Sequence, residues 1–148
     1  NEAKNSYESG QVTIQIESIK GWIEYSKGNT EKAIEYMKLA SKLESETSKA
    51  AVTPGEIIPA EELLADLYML TGRHKEALKS YELNLKGRPF RFNGLYGAAK
   101  AAQKLDNNEL AAYYFEKLIE VSEDVNSSRP ELLEAKDFLA NDSNSKNV

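Results

Sequence analysis

The chain has no cysteine, one histidine and one tryptophan among its 148 residues. Without cysteine there is no disulfide, no thiolate metal site and no cysteine nucleophile. A single histidine excludes any two-histidine metal site and leaves a conventional zinc centre short of ligands. Basic residues are also in deficit: 19 Lys and Arg stand against 24 Asp and Glu, a net charge of −5. That balance argues against nucleic acid as the main partner, because phosphate binding wants a basic face. No apolar run approaches the ~20 residues a membrane-spanning helix needs. No secretory leader follows Asn1, a start equally compatible with processing or trimming. These absences lead us to expect a soluble chain, cytoplasmic rather than exported, with no metal, no cofactor, no nucleic-acid partner and no membrane contact. The length fits one domain that buries roughly two-thirds of its unfolded surface.

What is present is helical periodicity, cut by turn signals. From Ser9 to Ser26, Val12, Ile16, Ile19 and Ile23 recur at spacings of three and four. Lys27-Gly28-Asn29 breaks the pattern, and Thr30 is a candidate N-cap for a helix over 31–43. Ala51 to Gly55 reads as a loop, because Pro54 disfavours helix at Thr53. Pro59, suited to a first helical turn, opens a helix that ends at Thr71-Gly72-Arg73. Further helices are predicted over 74–85, 93–105, 109–122 and 130–140. No strand pattern of useful length occurs. About seven helices joined by short turns predict an all-α fold of antiparallel hairpins, with polar, frayed ends at 1–8 and 141–148.

The helices repeat. Gly72 and Asp106 mark equivalent turns 34 residues apart, and Gly28 precedes Gly72 by 44, the excess falling in the Pro54-Gly55 loop. Small residues keep register: Gly21, Ala65 and Ala99 on the first helix of each pair, Ala33, Ala77 and Ala111 on the second. Such residues let helices cross closely, while Tyr81 and Phe115 fill the space between successive pairs. One pair cannot bury its apolar face alone, so neighbours stack.

The stretches IKGWIEYSKGNTEKAIEYMKLA, LLADLYMLTGRHKEALKSYELNLKGRP and GAAKAAQKLDNNELAAYYFEKLI carry a resemblance to the tetratricopeptide repeat family. Glu24 stands where the family prefers Tyr. Glu17, Glu61 and Leu95 replace its early Trp. The stretch TPGEIIPAEELLADLY…GRPFRFNGLYGAAKAA also resembles the C-terminal repeat region of larger bacterial proteins of this family, whose role is undefined. The resemblance implies an α-solenoid of three helical hairpins: repeat 1 at about 14–47, a loop at 48–58, repeat 2 at 59–91, repeat 3 at 92–122, and a capping helix at 130–140. It also implies a concave groove, lined by the first helix of each pair, that holds a peptide or protein.

Helical geometry then nominates the groove residues. Ser18, Trp22 and Tyr25 come from the first pair, Glu62, Asp66 and Met69 from the second, and Tyr96, Lys100 and Gln103 from the third. Aromatics with few rotors make good anchors. Against this, Glu62 and Asp66 equally suit ion pairs with Lys100 and Lys104. Trp22 is the kind of side chain more often buried than exposed. It also suits an exposed apolar patch, a dimer face or packing on an upstream repeat. The Lys/Asn/Arg clamp with which some family members grip a C-terminal carboxylate is not found. Arg88, Arg91 and Asn93 form a candidate anion-binding loop ahead of a helix N-terminus; the plainer reading is a solvated linker with Phe90 or Phe92 tucked beneath the repeat. Asp106 to Glu109 lacks the spacing and the glycine of a calcium loop. His74 is expected to be exposed. Asn126 and Asn141 sit in glycan-acceptor patterns. The expected function is non-catalytic binding of a protein or peptide. Its rivals are self-association as an assembly module of a larger bacterial protein and, a distant third, a hydrolase using carboxylates such as Glu61, Glu62 and Asp66, or Glu116 and Glu120.

Overall fold

The structure is a computed structural model that describes residues 2–47, 58–122 and 128–146, with side chains for 10–47, 58–122 and 128–142. The proline-glycine loop and Asn126 lie outside the described residues. Seven helices and no strand occur among those described: α1 (Glu2–Ser26), α2 (Thr30–Glu46), α3 (Ala60–Leu70), α4 (His74–Gly87), α5 (Phe92–Lys104), α6 (Asn108–Glu120) and α7 (Pro130–Lys146). All seven expected helices are present. Two run longer than periodicity suggested, by more than a full turn at one end. α1 begins at Glu2 rather than Ser9, and α7 continues past Ala140 to Lys146, because neither polar extension holds a proline to stop it. The chain divides into two compact units, Asn1–Thr71 and Gly72–Val148, described in turn.

In the first unit α1 packs on α2 and α2 on α3, and α3 also touches α1. The crossing of α1 and α2 depends on Gly21: a Cβ there would stand 2.9 Å from Met37 Cγ and 3.2 Å from the Ala33 carbonyl oxygen. Ile14, Ala40 and Ala60 form a buried cluster with Leu43 against it, so all three helices contribute to one core. α1 ends in a Schellman turn. The Asn29 N–H donates to the Glu24 carbonyl (2.9 Å), the Gly28 N–H to that of Tyr25 (2.9 Å), and Gly28 takes φ +82°.

Two caps differ from expectation. The N-cap of α2 is Asn29 rather than Thr30. Its side chain makes no cap bond because its amide donates instead to Glu24 Oε2 (2.8 Å). Pro59 is the N-cap of α3 rather than its first helical residue and offers no side-chain acceptor. The acceptor comes from α2: the Ala60 N–H donates to Glu44 Oε2 at 2.7 Å.

In the second unit α4 packs on α5, α5 on α6 and α6 on α7. Tyr81 of α4 is buried against Gly97 of α5, and the small residues Ala77, Ala99 and Ala111 have no exposed surface. Phe115 is fully buried, with its ring centroid 5.1 Å from that of Phe138 on α7 and 6.4 Å from that of Tyr96 on α5. Burial of one such side chain contributes roughly 2–3 kcal/mol. α7 thus covers the outer apolar face of α6. α5 ends in the same Schellman pattern as α1, with Asp106 in the left-handed region at φ +57° and the Asn107 N–H donating to the Ala102 carbonyl (3.0 Å).

Candidate functional site

Two of the residues nominated on α1, Ser18 and Trp22, line a concave pocket of about 330 Å³ in the first unit, whereas Tyr25 and the three nominated on α3 do not. From α1 its walls are Gln11, Gln15, Ser18, Ile19 and Trp22; from α3 and its approach they are Ile58, Ala60 and Leu63, with Ile14 at the base. The wall positions recur every three or four residues along α1, so one helical face supplies them all. None of the lining residues is charged. Ile19 and Ile58 leave 57% and 44% of their surface in solvent, so the pocket opens through an apolar rim.

Its polar groups are few and unequal. The Ser18 hydroxyl is spent, because it donates to the Ile14 carbonyl at 2.9 Å. The Gln11 Nε2 is buried and has no hydrogen-bond partner among the described residues. A buried donor without an acceptor costs roughly 1–3 kcal/mol, so this amide favours any ligand that brings a carbonyl oxygen. Trp22 is half-buried and meets Tyr25 edge-on, ring centroids 6.0 Å apart. Gln11, Ile58 and Leu63 were not foreseen; periodicity fixes the face of a helix but not which neighbouring side chains close a pocket over it.

The other nominated residues divide. Glu62 is 1% exposed and is not a groove residue. Asp66 and Met69, on the same helical face as Glu62, are half-buried. In the second unit α7 engages the face expected to be open. The Tyr96 hydroxyl donates to Glu134 Oε2 at 2.6 Å, and Lys100 donates to Glu134 Oε1. Burial and the adjacent Glu134 carboxylate push the Tyr96 phenol well above its ordinary range. Burial alone would raise Glu134, but Lys100 and Tyr96 outweigh it and its carboxyl titrates lower than usual. Gln103, half-buried, keeps its Oε1 buried and unpartnered.

The candidate anion loop is partly committed: Arg88 Nη1 donates to Asn84 Oδ1 at 3.3 Å, while Asn93 is exposed. Phe90 is 79% exposed rather than tucked away, and Phe92 is half-buried beneath the Arg129 guanidinium, 3.8 Å from ring centroid to Cζ. His74 is half-buried, with Nδ1 unpartnered, rather than exposed. Of the carboxylates weighed for hydrolysis, Glu61 accepts the Ser41 hydroxyl and Glu120 pairs with Lys117 at 2.6 Å. A second cleft of about 500 Å³ lies between α4 and α6, walled by Leu85, Phe90, Tyr113 and Tyr114, with Lys86 and Lys117 at its edge. Among the described residues no group of three or more His, Asp and Glu side chains is placed to hold a metal. No described helix is long and apolar enough to cross a membrane.

Residues 19–47 and 62–86 match the tetratricopeptide repeat family. The small-residue register and the glycine turns of the first two pairs lie within those segments; the third pair lies outside them. The fold is that of solved tetratricopeptide repeat domains. The first such domain of Spaghetti (RPAP3), bound to the HSP90 peptide SRMEEVD, has a TM-score of 0.67 at 15% identity, over 92% of this chain and 94% of that one. The domain of Sgt2 from Aspergillus fumigatus has a TM-score of 0.68 at 18% identity, over 90% and 81%. No curated protein matches the chain.

Proposed function

We propose that the chain is a non-catalytic binding module that takes an extended peptide segment of a protein partner across the concave pocket of α1 and α3. The observation that carries this reading is the uncharged pocket with a buried, unpartnered Gln11 amide at its wall. A peptide supplies what such a pocket lacks: an apolar side chain to fill it and a backbone carbonyl for Gln11. The Spaghetti domain shares the fold and holds a peptide. That peptide carries two glutamates and an aspartate. The uncharged walls here favour an apolar anchor instead. Trp22 at the pocket wall adds a rigid contact surface of the kind that dominates binding energetics.

The test is selection from a random peptide library on the intact chain, read by the emission of Trp22, the sole tryptophan. Enriched sequences should share a large apolar residue, shift that emission, and weaken about tenfold or more on Leu63→Glu, which places a charge in the pocket. Peptides that bind the variant and the native chain equally would refute the concave site.

A further inference from the structure

The apolar stripe that first marked α1 as a helix does not face α2. Val12, Ile16, Ile19 and Ile23 are 55%, 44%, 57% and 45% exposed, while Ile14, Ser18 and Gly21 turn inward. The repeat shows what such positions are for. Adding the 44-residue offset places Ile16 and Ile23 at Ala60 and Leu67, both buried. Adding the further 34 gives Gly94 and Ala101, also buried, and carries Ile19 to Gly97, which Tyr81 of α4 covers. In those helices these positions, whether small or aliphatic, are mostly buried under a neighbour, whereas α1 leaves four large aliphatic side chains exposed there.

We propose that this stripe is a homodimer seam, with α1 of a second copy packed antiparallel against it about a two-fold axis. The spacing is 4-3-4, a palindrome. An antiparallel copy sets Ile16 against Ile19 and Val12 against Ile23, four aliphatic layers over about 16 Å of helix. This is the a/d register of a coiled coil, and a two-fold contact needs such self-complementarity. The flanking positions agree with it. Thr13 would face Lys20 of the copy and Gln15 its Trp22, so no like charges oppose one another. A seam this short predicts a dimer that forms in the micromolar range rather than an obligate one.

The seam shares Ile19, Gln15 and Trp22 with the pocket, so a dimer would cover the peptide site; Ile16 and Ile23, the positions altered in the test, lie outside the pocket lining and keep the two readings distinguishable. The test is sedimentation equilibrium on the full chain from micromolar to millimolar concentration. The mass should rise to twice the monomer value. Ile16→Glu with Ile23→Glu, both at exposed sites, should keep the helical circular dichroism and raise the dimer dissociation constant at least about a hundredfold, since each dimer would bury four unpaired carboxylates. The chain has no cysteine, so orientation is readable by crosslinking. Val12→Cys mixed with Ile23→Cys should give the mixed disulfide in preference to either homodisulfide. A monomer at every concentration, a dimer indifferent to the two glutamates, or preferred homodisulfides would each overturn the proposal.

Discussion

Gly97 lies so close to Tyr81 that a methyl group on its α carbon would stand 2.3 Å from Cζ of the ring and 2.7 Å from its hydroxyl oxygen. The contact joins α4 to α5, and Tyr81 has nowhere to retreat because only 3% of its surface is exposed. Gly97→Ala should therefore destabilise the chain by about 1–3 kcal/mol despite alanine's better helix propensity. Urea unfolding measures the loss. In a Tyr81→Ala background the same substitution should cost little or stabilise, a non-additivity expected of residues in direct contact.

The three turns that define the repeat share one backbone conformation and not one residue. Gly28 and Gly72 take φ +82° and +74°, and Asp106 takes φ +57°. A left-handed residue with a Cβ costs roughly 1 kcal/mol, which glycine avoids. Asp106→Gly is expected to raise stability by about 0.5–1 kcal/mol. Gly72→Ala, at a site with open space around it, should lower stability by a similar amount through conformation alone. Thermal midpoints of the two variants should move in opposite directions.

These turns were legible in the sequence because a left-handed cap selects its residue locally, and the small residues at crossings were legible because they recur in register. The α1 stripe shows where that reasoning ends. Periodicity reported correctly that Val12, Ile16, Ile19 and Ile23 share a face, but it carries no information on whether that face is covered. The groove was half legible for the same reason. Trp22 and Ser18 follow from the face of α1, but the closing wall at Ile58 and Leu63 and the α7 carboxylate on Tyr96 and Lys100 come from contacts distant in sequence.

Glu44 is such a distant contact with a measurable consequence. It reaches from α2 to accept the Ala60 N–H at the start of α3, where Pro59 provides no cap and the helix dipole favours a negative charge. Glu44→Ala should destabilise the chain by about 0.5–2 kcal/mol. Glu44→Gln, which keeps an acceptor but loses the charge, should fall between the two. Chemical denaturation ranks the three proteins, and a Gln variant as impaired as the Ala variant would assign the effect to charge alone.

Glu24, where the family's usual tyrosine is missing, makes the pH dependence predictable. Its carboxylate accepts from the Asn29 amide at 2.8 Å and from Lys27 at 3.2 Å, and Lys32 lies 3.3 Å away. The Asn29 hydrogen bond first, then Lys27, hold its pKa down from the ordinary 4.5 to about 2. A carboxyl depressed in the folded state contributes stability that is complete above its unfolded pKa and is lost as protons return. The Glu24 contribution should therefore be constant near neutrality, begin to fall below about pH 4.5, and vanish as pH approaches 2. Glu24→Gln removes the titration, so the difference in urea midpoint between native and variant chains should narrow across that window. A difference that stays constant down to the acid limit would show that Glu24 acts through packing and hydrogen bonding rather than through its charge.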